Sequence, residues 1–188
     1  MELTEEKLDE IIDDIWINHI KRDFLEKRII YYEATLVAAF YHYLRTEIDK
    51  YPNFRVFLEH QLKIKKEEKE SKGRFDLVIM KAEKEEEWNS IEHLTKIETI
   101  PYWAIFEFKF VTKLKDTASL KDIEKLQKAQ NENIKRAYFI CIYENADYFT
   151  EVSKIDWMKE YYRECNATPI NGKKNDWKFE FKLGVEIC

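Results

Sequence analysis

Apolar positions at the start of the chain recur with the spacing of an α-helix. Within residues 4–23 they fall on one face, at Leu8, Ile11, Ile12 and Ile15. An amphipathic first helix is therefore predicted, and Thr4 is a suitable N-cap for it. A second apolar stripe predicts another helix over about residues 24–50. Glu33 lies on that stripe, at helical spacing from the apolar residues before and after it, so we expect its side chain to point toward the core.

Short apolar or alternating runs in the rest of the chain predict strands interspersed with helices. Strands are predicted at residues 54–64, 74–80, 102–111, 137–143 and 177–187. Helices are predicted at residues 119–134 and 149–165. We expect the charged stretch 65–73 to form an exposed hairpin connection and residues 81–101 to be a polar insertion between two core strands.

This order of elements predicts an α/β fold. A strand, a helix and another strand follow one another after residue 102, which predicts a crossover connection in a central mixed β-sheet flanked by helices. The length of 188 residues fits one domain, 1–188, with room for a substantial core. Within it, residues 1–23 are interpreted as an N-terminal helical extension and residues 24–188 as the core.

Composition and charge narrow the setting in which the protein is expected to work. The chain has 32 basic and 37 acidic residues and a formal net charge of -5, so any attraction for nucleic acid must come from a locally basic cleft. The cysteines, Cys141, Cys165 and Cys188, are far apart and predict neither a zinc site nor a disulfide framework. The acidic N-terminus lacks signal-peptide features, and no apolar run approaches about 20 residues. We therefore expect a soluble, intracellular (cytoplasmic) protein that does not insert into a membrane.

Charged residues interrupt two of the apolar strands. Glu107 and Lys109 are two positions apart in the run 102–111, so they share one face of the predicted strand. Asp76 interrupts the run 75–80 in the same way. Burying a charge costs several kcal/mol unless it is paired or binds a metal. Two acidic interruptions in two otherwise apolar strands therefore suggest a shared metal site.

A glutamate on a helix, an aspartate at the end of a hairpin-like pair and the run Glu107-Phe108-Lys109 follow one another along the chain. This arrangement resembles the PD-(D/E)XK, or restriction-endonuclease-like, nuclease superfamily. The resemblance covers residues 29–143. Phe75 stands where the nominal motif has proline, and the connection between Asp76 and Glu107 is long.

The resemblance implies a restriction-endonuclease-like core and a set of site residues. Asp76 and Glu107 would be ligands of Mg²⁺ or Mn²⁺, together with the backbone carbonyl of Phe108. Lys109 would be the catalytic lysine beside the attacking water and the scissile phosphate. Glu33 would assist from its helix, at a second metal ion or through water.

The same residue types suit phosphodiester hydrolysis for independent chemical reasons. A hard divalent cation can activate water, neutralise charge on the phosphate and help the leaving oxygen, and Mg²⁺ needs only one or two carboxylates to hold it. An ammonium on the same strand face can stabilise transition-state charge. Lys113 and Lys125 follow the motif and are candidates for contacts with phosphate, which carry little sequence information. Gln127 is expected to face the core, where its amide would touch Lys109 or substrate.

We therefore expect a metal-dependent nuclease that is DNA-binding and hydrolyses phosphodiester bonds. Nothing in the chain separates DNA from RNA as substrate, because lysine contacts to the backbone serve both. The alternative is a catalytically silent nuclease-like fold that binds nucleic acid or acts in protein assembly. The N-terminal helix is then a candidate partner-binding arm, and a homodimer formed through it stays open.

Overall fold

A single mixed β-sheet organises the computed structural model, which describes residues 2–66, 69–89, 100–111, 118–130, 134–143, 162–169 and 177–183. Six strands lie in the sheet in sequence order: β1 (Phe54–Lys66), β2 (Lys69–Lys81), β3 (Tyr102–Val111), β4 (Arg136–Tyr143), β5 (Tyr162–Pro169) and β6 (Trp177–Leu183). Strands β1 to β3 pair antiparallel, β3 to β5 pair parallel, and β6 is antiparallel to β5. The predicted α/β class, with a mixed sheet flanked by helices, is confirmed.

The helices cover both faces of the sheet. They are α1 (Glu5–Asp14), a π-helical segment (Ile15–Ile20), α2 (Lys21–Leu25), α3 (Glu33–Ile48), α4 (Glu86–Asn89) and α5 (Ala118–Gln130). One face packs against α1, the π-helical segment and α3, and the other packs against α5. No helix among the described residues is both long enough and apolar enough to cross a membrane.

Strand β4 shows why the middle of the sheet is apolar on both sides. Its residues Tyr138, Ile140 and Ile142 pack with α1 and α3, whereas Phe139 and Cys141 alternate with them and pack with α5. Side chains point to opposite faces of a strand in turn, so a strand covered on both faces reads as a continuous apolar run. The crossover from β3 through α5 to the parallel strand β4 agrees with the predicted order of elements.

The first helical segment packs into the core. Thr4 caps α1 as predicted, since its Oγ1 accepts a hydrogen bond from the backbone N–H of Lys7 at 3.2 Å. The buried apolar face of the segment joins the cluster formed with the sheet and α3, through Leu8, Ile11, Ile12, Ile15 and Trp16. Two carboxylates four residues apart bind arginines of β4 and β5. Asp9 accepts a hydrogen bond from Arg136 at 3.2 Å, and Asp13 accepts one from Arg163 at 2.6 Å. Apolar and ionic contacts both attach the segment to the sheet.

The structure corrects the predicted helix over residues 24–50. Helix α2 ends at Leu25, and Arg28 takes up a positive φ of 52°, which a helix interior does not allow. The chain is then extended at Tyr32, and α3 begins at Glu33. Glu33 is therefore the first residue of a helix, and the apolar stripe through residues 36, 40, 44 and 48 starts after it. Periodicity alone missed the break because the apolar positions continue through it.

Two further boundaries differ from the prediction. Residues 65–66 and 69–73 belong to the β1–β2 hairpin, whose last backbone pair is Lys66↔Lys69, so most of the charged stretch pairs as strand. A ladder is formed by main-chain hydrogen bonds, so it does not require apolar side chains. The end of the predicted helix 149–165 is wrong as well, because β5 begins at Tyr162 and pairs with β4 and β6. Residues 149–161 of that prediction lie outside the described parts of the chain.

Candidate active site

The candidate site lies where the pairing between β2 and β3 stops. Leu77↔Phe106 is the last pair toward this end of the ladder, and Asp76 and Glu107 are the next residues on the two strands. The Asp76 carboxylate bonds to the backbone of β3 at this point: its Oδ2 accepts a hydrogen bond from the backbone N–H of Phe108 at 2.9 Å. Residues that lie directly opposite each other on two antiparallel strands have their side chains on the same face of the sheet. The structure therefore brings the two acidic interruptions of the sequence together.

The other neighbour of Asp76 in the sheet is irregular too. On β1, Leu58 pairs with Leu77 and His60 pairs with Phe75, which leaves Glu59 opposite Asp76 without a backbone pair. Glu59 adopts a positive φ of 49°, a conformation found at distorted positions of strands. The ladder is thus interrupted on both sides of the aspartate.

Glu107 is the most buried acid of the site. Only 2% of it is exposed. Burial, followed by the charge of Asp76, raises the pKa of Glu107 to about 8, although the Lys125 ammonium opposes the change. The Asp76 pKa is also raised by burial, against the hydrogen bond from Phe108 and the charge of Lys109. Both carboxylates therefore favour a nearby cation.

Lys125, on α5, provides that cation. Its ammonium lies against Oε1 of Glu107 and donates a hydrogen bond to the backbone carbonyl of Arg74 at 2.8 Å. It is also 5.0 Å from the centre of the Phe75 ring, a distance at which a cation interacts with the aromatic face. Lys125 was predicted to contact phosphate, and the structure places its ammonium beside the carboxylate pair.

Lys109 points to a different set of acids. Its Nζ is 3.0 Å from Oδ2 of Asp122 and 3.3 Å from Oε2 of Glu33. Burial lowers the Lys109 pKa, but the hydrogen bonds and charges of Asp122 and Glu33 outweigh burial and raise it. The ammonium therefore stays protonated in the neutral range, which suits charge stabilisation and opposes a role as general base.

Glu33 reaches Lys109 from the first turn of α3. The backbone N–H groups of Tyr31 and Tyr32 donate hydrogen bonds to Oγ1 of Thr35 at 3.0 and 3.2 Å. These bonds fix the backbone at the N-terminus of the helix. The Glu33 side chain is 42% exposed, so it borders the site instead of facing the core. The structure places Glu33 beside Lys109, but its side chain is half-exposed and does not face the core as expected, because it lies in the first turn, before the buried stripe of α3 begins.

Asp122 is the site residue that the sequence analysis did not assign. It lies on α5 next to the buried Ile123, and its two oxygens contact both lysines: Oδ2 lies 3.0 Å from Lys109 and Oδ1 lies 3.7 Å from Lys125. The spacing of Asp122 and Lys125, three residues apart on the helix after the motif strand, was the available signal.

The remaining predicted substrate contacts have different outcomes. Gln127 is exposed, so the expectation that it faces the core is wrong. The buried side of α5 consists of Ile123, Leu126 and Ala129, a stripe that leaves position 127 on the solvent side. Lys113 lies outside the described residues. A contact of either side chain with substrate stays a prediction.

The donor set at the strand ends suits a hard cation. Asp76 and Glu107 repel each other electrostatically, and carboxylate oxygens are the ligands that Mg²⁺ and Mn²⁺ prefer. Across the described residues there is no group of three or more His, Cys, Asp or Glu side chains arranged to hold a metal ion. Two carboxylates with the Phe108 carbonyl would form a smaller set, and Mg²⁺ keeps most of its waters in such sites.

Comparisons with known proteins found no match to this chain among family models, curated proteins or solved structures.

Proposed function

We propose that the protein is a metal-dependent nuclease that hydrolyses phosphodiester bonds, with DNA as its substrate. The observation that carries this proposal is the arrangement at the end of β3. Asp76 and Glu107 extend from neighbouring strands at one level, and Lys109 follows two residues later with its ammonium held by Asp122. Carboxylates that can hold a divalent cation, next to a permanently charged ammonium, are what phosphodiester hydrolysis requires.

The order of elements supports a restriction-endonuclease-like core. An antiparallel β1–β2–β3 unit carries both acidic residues, and α5 then leads to the parallel strand β4. Helix α3, which supplies Glu33, packs against the same antiparallel unit. Each residue that the resemblance assigns to the site therefore lies on the type of element that such a core would need.

The residues of the chain have distinct roles in the proposed reaction. Asp76, Glu107 and the carbonyl of Phe108 would hold Mg²⁺ or Mn²⁺, which supplies an acidified water and charge neutralisation when bound. Lys109 stabilises the charge that grows on the phosphate oxygens, because its raised pKa keeps the ammonium protonated. Asp122 and Glu33 orient that ammonium at 3.0 and 3.3 Å.

The test is cleavage by purified protein of linear, nicked, branched and single-stranded DNA, with matched RNA, in Mg²⁺ or Mn²⁺. Cleavage should require the metal and should be lost in Asp76→Ala and Lys109→Ala. The proposal fails if no substrate is cut, or if Lys109→Ala cuts as well as the wild type. Cleavage of RNA alone would keep the chemistry and change the substrate.

A catalytically silent fold is the second candidate, and one observation favours it. Glu107 and Lys109 are both paired with internal partners, Lys125 and Asp122, so the charges of the site already compensate one another. A scaffold of this kind would bind nucleic acid or another protein without turnover. Metal titration separates the two candidates. The nuclease should bind a divalent cation and lose that binding in Asp76→Ala, whereas a scaffold should show no binding that depends on Asp76.

A further inference from the structure

The ammonium of Lys125 lies against Oε1 of Glu107, one of the two carboxylates that would hold the metal ion. Glu107 is 2% exposed, and the side chain of Lys125 is itself only 24% exposed. Two cations against one buried carboxylate oxygen repel each other strongly, because the interior screens charge poorly. A divalent cation bound through this oxygen would therefore compete with Lys125 for Glu107.

Asp122 offers Lys125 a second partner close by. Its Oδ1 is 3.7 Å from the Lys125 ammonium, while its Oδ2 holds Lys109. A short shift of the flexible lysine side chain toward Asp122 would keep the ammonium paired after it leaves Glu107. The ammonium also donates a hydrogen bond to the backbone carbonyl of Arg74. That carbonyl is uncharged, so losing this bond leaves no charge without a partner.

We propose that Lys125 is an internal counter-ion of the carboxylate pair, which a divalent cation displaces from Glu107 toward Asp122. This inference rests on the proposed function and specifies how the same site is regulated. Without metal, the Lys125 ammonium lies against Oε1 of the buried Glu107. With metal, the displaced ammonium stands next to Asp122 and Lys109, where it is positioned to contact a phosphate.

Metal binding by substrate-free protein tests the exchange without relying on activity. Lys125→Met removes the competing cation, so Mn²⁺ titrated calorimetrically should bind at least about tenfold more tightly than to the wild type. Lys125→Arg keeps a cation at the position and should not show this gain. Lys128→Met is the matched control, since Lys128 lies on the same helix, is exposed and pairs with Glu124 at 3.6 Å.

Amine reactivity of the wild-type protein provides a second, independent measurement. Acylation of lysines, followed by mass spectrometry, should show Lys125 reacting several-fold faster when Mn²⁺ is bound, with Lys128 as the internal reference. The increase should be absent in Asp76→Ala.

The outcomes separate the inference from the function on which it rests. If wild type binds Mn²⁺ while Lys125 reactivity stays unchanged and Lys125→Met binds no tighter, the exchange is refuted and the metal site stands. Weaker binding by Lys125→Met also overturns the exchange, because Lys125 would then support the bound state. If neither protein binds Mn²⁺, both the exchange and the proposed metal-dependent activity are wrong.

Discussion

The ammonium of Lys109 lies 3.0 Å from the carboxylate of Asp122, across the contact between β3 and α5. Glu33, the first residue of α3, contacts the same ammonium at 3.3 Å. Two acids therefore hold one lysine whose side chain is 15% exposed. This geometry keeps Lys109 protonated, because both acids favour its charged form.

Lys109 should act through its charge and not as a base. Lys109→Met is expected to lower kcat by about a hundredfold or more, since a preorganised cation is lost from the transition state. Lys109→Arg keeps the charge and should retain more activity than Lys109→Met. Steady-state kinetics on the cleaved DNA would measure both. Equal loss in the two variants would point to proton transfer by the lysine amine.

Asp122 should matter more than Glu33 for the state of Lys109. Asp122 is closer to the ammonium and less exposed, with 20% of its side chain accessible against 42% for Glu33. Exposed charges are screened by solvent. The loss of kcat/KM in Asp122→Asn is therefore expected to be about tenfold larger than the loss in Glu33→Gln. A larger effect of Glu33→Gln would contradict this order and would favour a direct role of Glu33 at the substrate.

Glu107 should make the stability of the metal-free protein depend on pH. Its pKa is about 8 in the folded chain against an ordinary value of 4.5, so unfolding releases a proton between these two pH values. The stabilising contribution is fully present below 4.5 and is lost as pH rises through 8. The loss is on the order of a few kcal/mol, since each unit of pKa corresponds to about 1.4 kcal/mol.

Thermal unfolding of wild type and Glu107→Gln across that pH range measures the effect. The glutamine variant cannot ionise, so the Tm of the wild type should fall relative to that of the variant as pH rises. Added Mg²⁺ should restore the wild type on the alkaline side, because a bound cation compensates the ionised carboxylate. Parallel curves for the two proteins would show that Glu107 is ionised throughout.

Asp13 should anchor the first helical segment to the sheet. Its carboxylate accepts a hydrogen bond at 2.6 Å from Arg163, a residue that is 3% exposed. Asp13→Ala removes this partner from a buried guanidinium and is expected to lower the free energy of unfolding by about 3 kcal/mol. Asp14→Ala is the matched control, because the neighbouring Asp14 is 57% exposed, and it should change stability by about 0.5 kcal/mol or less. Denaturant titration compares them, and equal effects would remove the anchoring role.

Much of the sheet could be predicted because strand patterns are local. Residues 102–111 were predicted as a strand and form β3 with the same bounds, and the run 137–143 forms most of β4. A strand that is buried on both faces forms a continuous apolar run in the sequence. These two strands could therefore be predicted without knowing which strands pair with them. Tyr162 shows the opposite case: its segment has helical spacing, yet pairing with β4 and β6 on either side makes it a strand.

The amino-acid sequence alone places Glu107 and Lys109 on one face of a buried strand, because a period of two is a property of the extended backbone. It also pointed to Asp76 as their partner. The contacts of Asp122 with Lys109 and of Lys125 with Glu107 appear only in the folded chain. Those contacts depend on how α5 packs on the sheet, and the ion pairs that form there follow from distances between elements that no local pattern encodes.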